Sequence, residues 1–328
     1  MKAQIYTEYG PPEVVQLAEI EKPKPNKSEV LIQEIASTVN RSDSGYRSAV
    51  YFISRFFTGL FRPKIQTLGC EFAGIITEIG AEVSKFQVGD PVFGFTDSRF
   101  GGHAEYMLMG EQEGIAKMPK SMPFETAAAM SEGAHYALED IRAAKVEKGD
   151  NVLVIGGTGA IGSAAVQLLK VIGARVSAVC PGEYFDVIKD LGADQVIDYQ
   201  KEDFTRSTEK FDFIFDAVGK SRFKICKALL KEKGIYISTE LGPRAENIWL
   251  ALFSSISKRK KVLFPIPETR QADIIFFAEL FEQGKFRPLM DRTYDFEDIV
   301  EAYRYVETGQ KIGNVVLRIN PKGSNFKR

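Results

Sequence analysis

The run Gly156-Gly157-Thr158-Gly159-Ala160-Ile161-Gly162 has the residue types and spacing to hold a phosphate group. It follows the apolar segment Asn151-Val152-Leu153-Val154-Ile155 and precedes a helical stretch from Ser163 to Val171, so strand, glycine turn and helix succeed one another. In that context Gly157 and Gly159 let a turn pass close to a pyrophosphate, and Gly162 lets the helix pack on the strand. The helix N-terminus adds amide donors and positive potential. Gly156, Gly157, Thr158, Gly159, Ala160 and Ile161 are therefore read as a dinucleotide cradle. The competing reading, a glycine turn without a ligand, has the flanking strand and helix against it.

Roughly twenty residues beyond such a turn, an NAD site places Asp or Glu against the ribose hydroxyls. Here the second strand ends at Val179-Cys180-Pro181, with no acid. A carboxylate there would repel a 2′-phosphate, so its absence tilts the expectation toward NADP(H). Glu183 stands close enough to keep NAD(H) an alternative.

The elements that must position the cradle belong to an α/β chain. Strand candidates at Asn151 to Ile155, Arg175 to Val179, Gln195 to Ile197, Phe211 to Asp216 and Gly234 to Ser238 alternate with helical stretches, as in a doubly wound parallel sheet. This predicts a Rossmann domain over 123–291. Residues 1–122 are β-rich, with strand-like runs at 29–35 and 72–80 broken by Gly, Pro and Asp. After about Met290 come a helix candidate, Glu297 to Thr308, and a strand, Asn314 to Ile319, a tail that could return to the first domain.

The 328 residues suffice for two cores, and 43 basic against 44 acidic residues leave a formal charge of -1. No long-range field favours nucleic acid. Cys70, Cys180 and Cys226 are scattered and odd in number, which suits a reducing compartment. With no secretory pattern at the start and no membrane-length apolar run, a cytoplasmic protein without an integral span is expected.

The order of further motifs carries a resemblance. Asn40-Arg41-Ser42-Asp43, Gly69-Cys70-Glu71-Phe72-Ala73-Gly74, Val88-Gly89-Asp90-Pro91-Val92, Gly102-His103-Ala104-Glu105-Tyr106, the glycine turn, Leu191-Gly192-Ala193-Asp194 and Gly313-Asn314-Val315-Val316 occur in this order. Together they resemble the quinone oxidoreductase-like, zinc-free branch of the medium-chain dehydrogenases/reductases, over essentially the whole chain. The resemblance implies a GroES-like β domain of residues 1–122 completed by 292–328, a Rossmann domain between them, and the active site in the cleft. It also implies a homodimer acting on a small apolar carbonyl or quinone.

Zinc-dependent members of that superfamily hold the metal with thiolate, imidazole and thiolate. The matching positions here are Asn40, Cys70 and Ser131, which leaves one soft ligand where tetrahedral zinc needs three from the protein. Without a Lewis acid, the electrophile must accept hydride readily, as a quinone or an α,β-unsaturated carbonyl does. The resemblance implies that Asn40 lies at the nicotinamide and that Tyr51 faces the substrate, with Tyr46 as competitor. Ser131, Tyr136, Val218, Gly219 and Asn314 are carried over as cofactor neighbours, and Tyr199 as the adenosine-side contact. His103 is read as structural, and Cys70 as a buried small hydrophobe.

Two apolar segments stand apart: 51–61, rich in aromatics, and Ile248 to Phe253, followed by Lys258-Arg259-Lys260-Lys261. They either wall a substrate pocket or touch a membrane, or they are buried in a core or dimer interface. A catalytically idle, cofactor-binding protein and a zinc-free alcohol or aldehyde oxidoreductase are the alternative functions.

Overall fold

The computed structural model describes residues 1–49, 55–254 and 259–320. Tyr51 lies outside them, as does Lys258. The chain divides into two compact units, Met1–Glu132 with Thr269–Arg328, and Gly133–Glu268.

The first unit holds strands β1 (Lys2–Ile5), β2 (Gln16–Glu19), β3 (Glu29–Val39), β4 (Glu71–Ile79), β5 (Pro91–Phe95), β6 (Tyr106–Gly110) and β7 (Ile115–Lys117). From the C-terminal part it gains β14 (Met290–Asp295) and β15 (Asn314–Arg318). Its main sheet runs β14-β15-β3-β4-β5-β7, with β6 also on β3. β3 is the spine, eleven residues long and almost wholly buried. Bulges between Leu31 and Ile32 and between Glu34 and Ala36 bend it, so one strand can serve three partners. Val30, Ile32, Phe72, Ile76, Val92, Met107 and Ile115 fill the core it curls around.

Helices of this unit are α1 (Arg41–Ser48), α2 (Arg55–Thr58), α3 (Phe124–Ala128), α9 (Gln271–Glu282) and α10 (Ile299–Glu307). The division falls at Glu132/Gly133 and Glu268/Thr269, where the sequence suggested 122/123 and 291/292. Packing explains the difference. α3 packs on β3, β4 and β15, and α9 packs on β7, where Gln271 donates to the carbonyls of Glu111 and Ile115.

The second unit opens with most of α4 (Glu132–Ala144) and then alternates β8 (Asn151–Ile155), α5 (Ala160–Ile172), β9 (Arg175–Cys180), α6 (Phe185–Asp190) and β10 (Gln195–Asp198). It continues through β11 (Phe211–Asp216), α7 (Phe223–Cys226), β12 (Leu230–Ser238), α8 (Glu246–Ser254) and β13 (Lys261–Leu263). All pairings are parallel, in the order β10-β9-β8-β11-β12-β13. This is the doubly wound order, with its switch point between β8 and β11. Val152, Leu153, Val154 and Ile214 are buried on both faces of the sheet, each contributing about 1.5–3 kcal/mol by leaving water. α5 is buried all round from Gly162 to Leu169 and stops where Gly173 takes a left-handed conformation (φ 92°).

Candidate functional site

In the second unit, Gly156 leaves β8 at φ 83°, a conformation that disfavours other residues, and Gly159 caps α5. The glycines have different reasons to be bare. A Cβ at Gly162 would stand 2.1 Å from the Gly156 carbonyl oxygen, so the helix lies on the strand only because Gly162 has none. One at Gly156 would strike Val218 at 2.5 Å, and one at Gly157 would press on Ala178 at 3.1 Å. At Gly159 the nearest atoms would be 3.6 and 3.7 Å away, and its backbone is ordinary. The fold therefore has no need of glycine at 159; what is kept clear there is room beside a helix N-terminus. At Gly157 a side chain would face β9, so packing alone is enough to keep that position bare.

The loop after β11 meets this turn. Asp216, fully buried, accepts from the backbone N–H groups of Val218 (3.3 Å), Lys220 (3.2 Å) and Ser221 (2.8 Å), and from the Tyr236 hydroxyl (3.2 Å). Val218 and Gly219 are so held at the switch point, with the Val218 side chain against Gly156 and Gly159. Tyr199 stands exposed just past β10, and Tyr136, on α4, lies against His135 with ring centroids 5.3 Å apart.

In the first unit the structure centres on Glu71, a residue quoted in a motif but not singled out from sequence. Glu71 Oε2 accepts from Thr38 Oγ1 (2.6 Å) and Asn40 Nδ2 (2.9 Å). Its Oε1 accepts from the N–H groups of Ser131 (2.8 Å) and Glu132 (2.7 Å). Asn40 Nδ2 also donates to Thr38 Oγ1 at 2.8 Å, closing a triangle. Burial pushes the Glu71 carboxyl up, and these four donors pull it back. Two predicted residues far apart in the chain, Asn40 and Ser131, are thus fastened to one carboxylate.

The same arrangement fixes which way the Asn40 amide points. Its nitrogen is committed inward, and its buried Oδ1 has no partner in the protein. Ser131 Oγ is likewise buried and unpartnered. Asn314, at the start of β15, donates through Nδ2 to the Leu289 carbonyl and leaves Oδ1 in the same state. Such atoms cost about 1–3 kcal/mol each unless a ligand meets them.

Around this centre, Asp43 accepts the N–H groups of Asn40 (2.9 Å) and Gly69 (3.0 Å), the N3 carboxylate of α1 reaching back to its cap. His103 Nε2 donates to the Thr38 carbonyl at 2.8 Å, and the Tyr303 hydroxyl approaches Nδ1 at 3.4 Å. Burial pushes the imidazole pKa down, so His103 is a neutral brace. Burial, then the Glu71 and Asp43 charges, push Glu132 up to about 8. Tyr46 lies on α1 against Phe100, ring centroids 4.6 Å apart, its hydroxyl pushed up by burial and by Asp97 and Cys70.

These residues do not fit a catalytic zinc. Asn40 offers an amide whose nitrogen is engaged, Ser131 a hydroxyl, and Cys70 a wholly buried thiol that burial and neighbouring acids hold far above the usual range. A thiolate is the ligand zinc requires. Among the described residues no three His, Cys, Asp or Glu are grouped to hold a metal.

The two apolar segments are largely exposed in their described parts, although Leu250 packs against the core of the second unit. Phe56 and Phe61 are exposed, as are Trp249, Leu252 and Phe253 on α8. Among the described residues no helix is long and apolar enough to cross a membrane.

Residues 26–120 match the alcohol dehydrogenase GroES-like domain and residues 191–317 the zinc-binding dehydrogenase family. The chain is 30% identical to 2-methylene-furan-3-one reductase of Solanum lycopersicum, over 98% of its own length and 80% of that protein's. It belongs to the quinone oxidoreductase-like family of medium-chain dehydrogenases/reductases. Another member, the chloroplastic NADPH-dependent alkenal/one oxidoreductase of Arabidopsis thaliana, is 28% identical over 97% of this chain and 79% of its own. The structure of the quinone oxidoreductase from Coxiella burnetii superposes with a TM-score of 0.86 at 26% identity, covering 98% of this chain and 99% of that one. Like its family, the chain is an oxidoreductase, with a GroES-like domain and a Rossmann-type parallel sheet.

Proposed function

We propose that this family member is an NADP(H)-dependent reductase of α,β-unsaturated carbonyls or quinones that works without a metal. The observation that carries the reading is Gly159: glycine is kept at a helix N-terminus, at the sheet's switch point, where the protein's own packing leaves room for a side chain. A diphosphate needs that room, and the first-turn N–H groups of α5 face it. Relatives named as NADPH-dependent alkenal/one and quinone oxidoreductases support the same cofactor and substrate class.

Bound NADPH supplies a hydride. The chain's own contribution is orientation. The Glu71 anchor sets Asn40 with its carbonyl oxygen as the acceptor on offer, suited to the carboxamide N–H of a nicotinamide. Tyr46, with its hydroxyl pushed up, keeps its proton at neutral pH and can donate to a substrate oxygen as charge grows there. Tyr51 shares that assignment from the family resemblance. A homodimer is part of this reading, supported by the exposed apolar residues of α8, which packs against the edge strand β13.

Titration of the protein with NADPH tests the cradle directly. Gly159→Asp should weaken binding by roughly a hundredfold or more while the variant stays folded, because a carboxylate would face the diphosphate. Unchanged affinity in that variant would overturn the assignment.

A further inference from the structure

The geometry points to Asp198 and Lys201 as the pair that distinguishes a phosphorylated from an unphosphorylated ribose at the adenosine end of the cofactor site. The inference rests on the dinucleotide reading above and adds to it the residues that set cofactor preference.

In a doubly wound sheet the ribose hydroxyls are read at the C-terminal end of the second strand. That strand is β9, which ends at Cys180 and continues as Pro181 and Gly182 with no acid of its own. The sequence therefore appears empty at this corner. The structure fills it from the neighbouring strand, because β10 pairs with β9 so that Asp198 lies opposite Cys180. A Cβ on Gly182 would stand 2.4 Å from Asp198 Oδ2 and 3.6 Å from Lys201 Nζ. Both charged groups thus converge on the spot where strand two hands the chain to the ribose.

The two groups differ in freedom. Asp198 is buried and held in a turn: its Oδ1 accepts the Gln200 N–H at 3.0 Å, and its carbonyl accepts the N–H groups of Lys201 and Glu202. Its Oδ2 is directed at Gly182 and meets Lys201 Nζ at 3.5 Å. Lys201 is 81% exposed, a mobile ammonium on a flexible stem. A fixed carboxylate alone would accept from a 2′-hydroxyl and repel a 2′-phosphate. With Lys201 beside it, the carboxylate is neutralised, and the ammonium can turn to a phosphate instead. Glu183, exposed just after Gly182, adds negative charge, so Lys201 must provide the attraction for the phosphorylated form.

Fluorescence titration of the full chain with NADPH and with NADH decides the matter. Lys201→Ala should weaken NADPH binding by roughly tenfold, the size of one charge-assisted contact, and change NADH binding by less than about twofold. Added salt should narrow that difference. Asp198→Asn, which keeps the Gln200 contact, should weaken NADH and spare or tighten NADPH. If Lys201→Ala shifts both cofactors equally, or neither, the discriminating pair is refuted while the dinucleotide reading stands. Wild-type protein that binds neither cofactor would refute the dinucleotide reading itself.

Discussion

Glu34 on β3 and Glu71 on β4 are wholly buried in the same sheet, yet they live in opposite circumstances. Glu71 gathers four donors from three parts of the chain. Neither carboxylate oxygen of Glu34 has a hydrogen-bond partner, and only the Ala73 backbone weakly favours its charge, so burial pushes its pKa far up. A buried carboxyl is tolerated in two ways, by surrounding the charge with donors or by surrendering it to a proton. The first organises a site; the second is a cost borne by the fold. The contrast marks the neighbourhood of Asn40 and Ser131 as built around a charge.

Removing the anchor should have the largest effect. Glu71→Leu strands the Thr38 hydroxyl, the Asn40 amide and two N–H groups at once, and should cost about 3–5 kcal/mol in urea denaturation. Glu71→Gln should fall between that variant and wild type, since its amide must set a donor against a donor. A loss under about 1 kcal/mol in both would show that the Glu71 network does not hold the site together.

Glu34 should answer in the opposite direction. Glu34→Met replaces an unpaired carboxyl with an apolar chain of similar size and should stabilise the protein by about 1–3 kcal/mol at neutral pH. The pH dependence has a definite sign. The folded chain keeps on Glu34 a proton that the unfolded chain releases above roughly pH 4.5, so stability is full below that pH and falls as pH rises. Glu132, pushed up to about 8, contributes with the same sign until about that pH. Glu34→Met should flatten part of this decline; an unchanged slope would show that Glu34 is solvated or paired in solution.

What could be read in the sequence follows from how local each feature is. The glycine turn was legible because strand, spacing and helix lie within one short segment, and β8 and β11 were bounded correctly because buried parallel strands read as apolar runs. β13, only Lys261–Leu263 and entered by basic residues, offered no such run. Glu71 was hidden because its meaning depends on N–H groups sixty residues further on. Asp198 was hidden because register across two strands, and not its place in sequence, brings it to Gly182. Spacing alone also does not say which glycine packing keeps bare: a Cβ at Gly157 would press on Ala178, whereas one at Gly159 would make only ordinary contacts.

The most direct test of the account is isotopic. Chelator-treated protein, verified free of zinc, is mixed with NADPH deuterated at C4 and an α,β-unsaturated aldehyde, and the product is examined by mass spectrometry and NMR. Deuterium is expected at the former β-carbon, at a rate indifferent to the chelator. NADPH left unoxidised with both enal and quinone, or turnover restored only by added zinc, would contradict it.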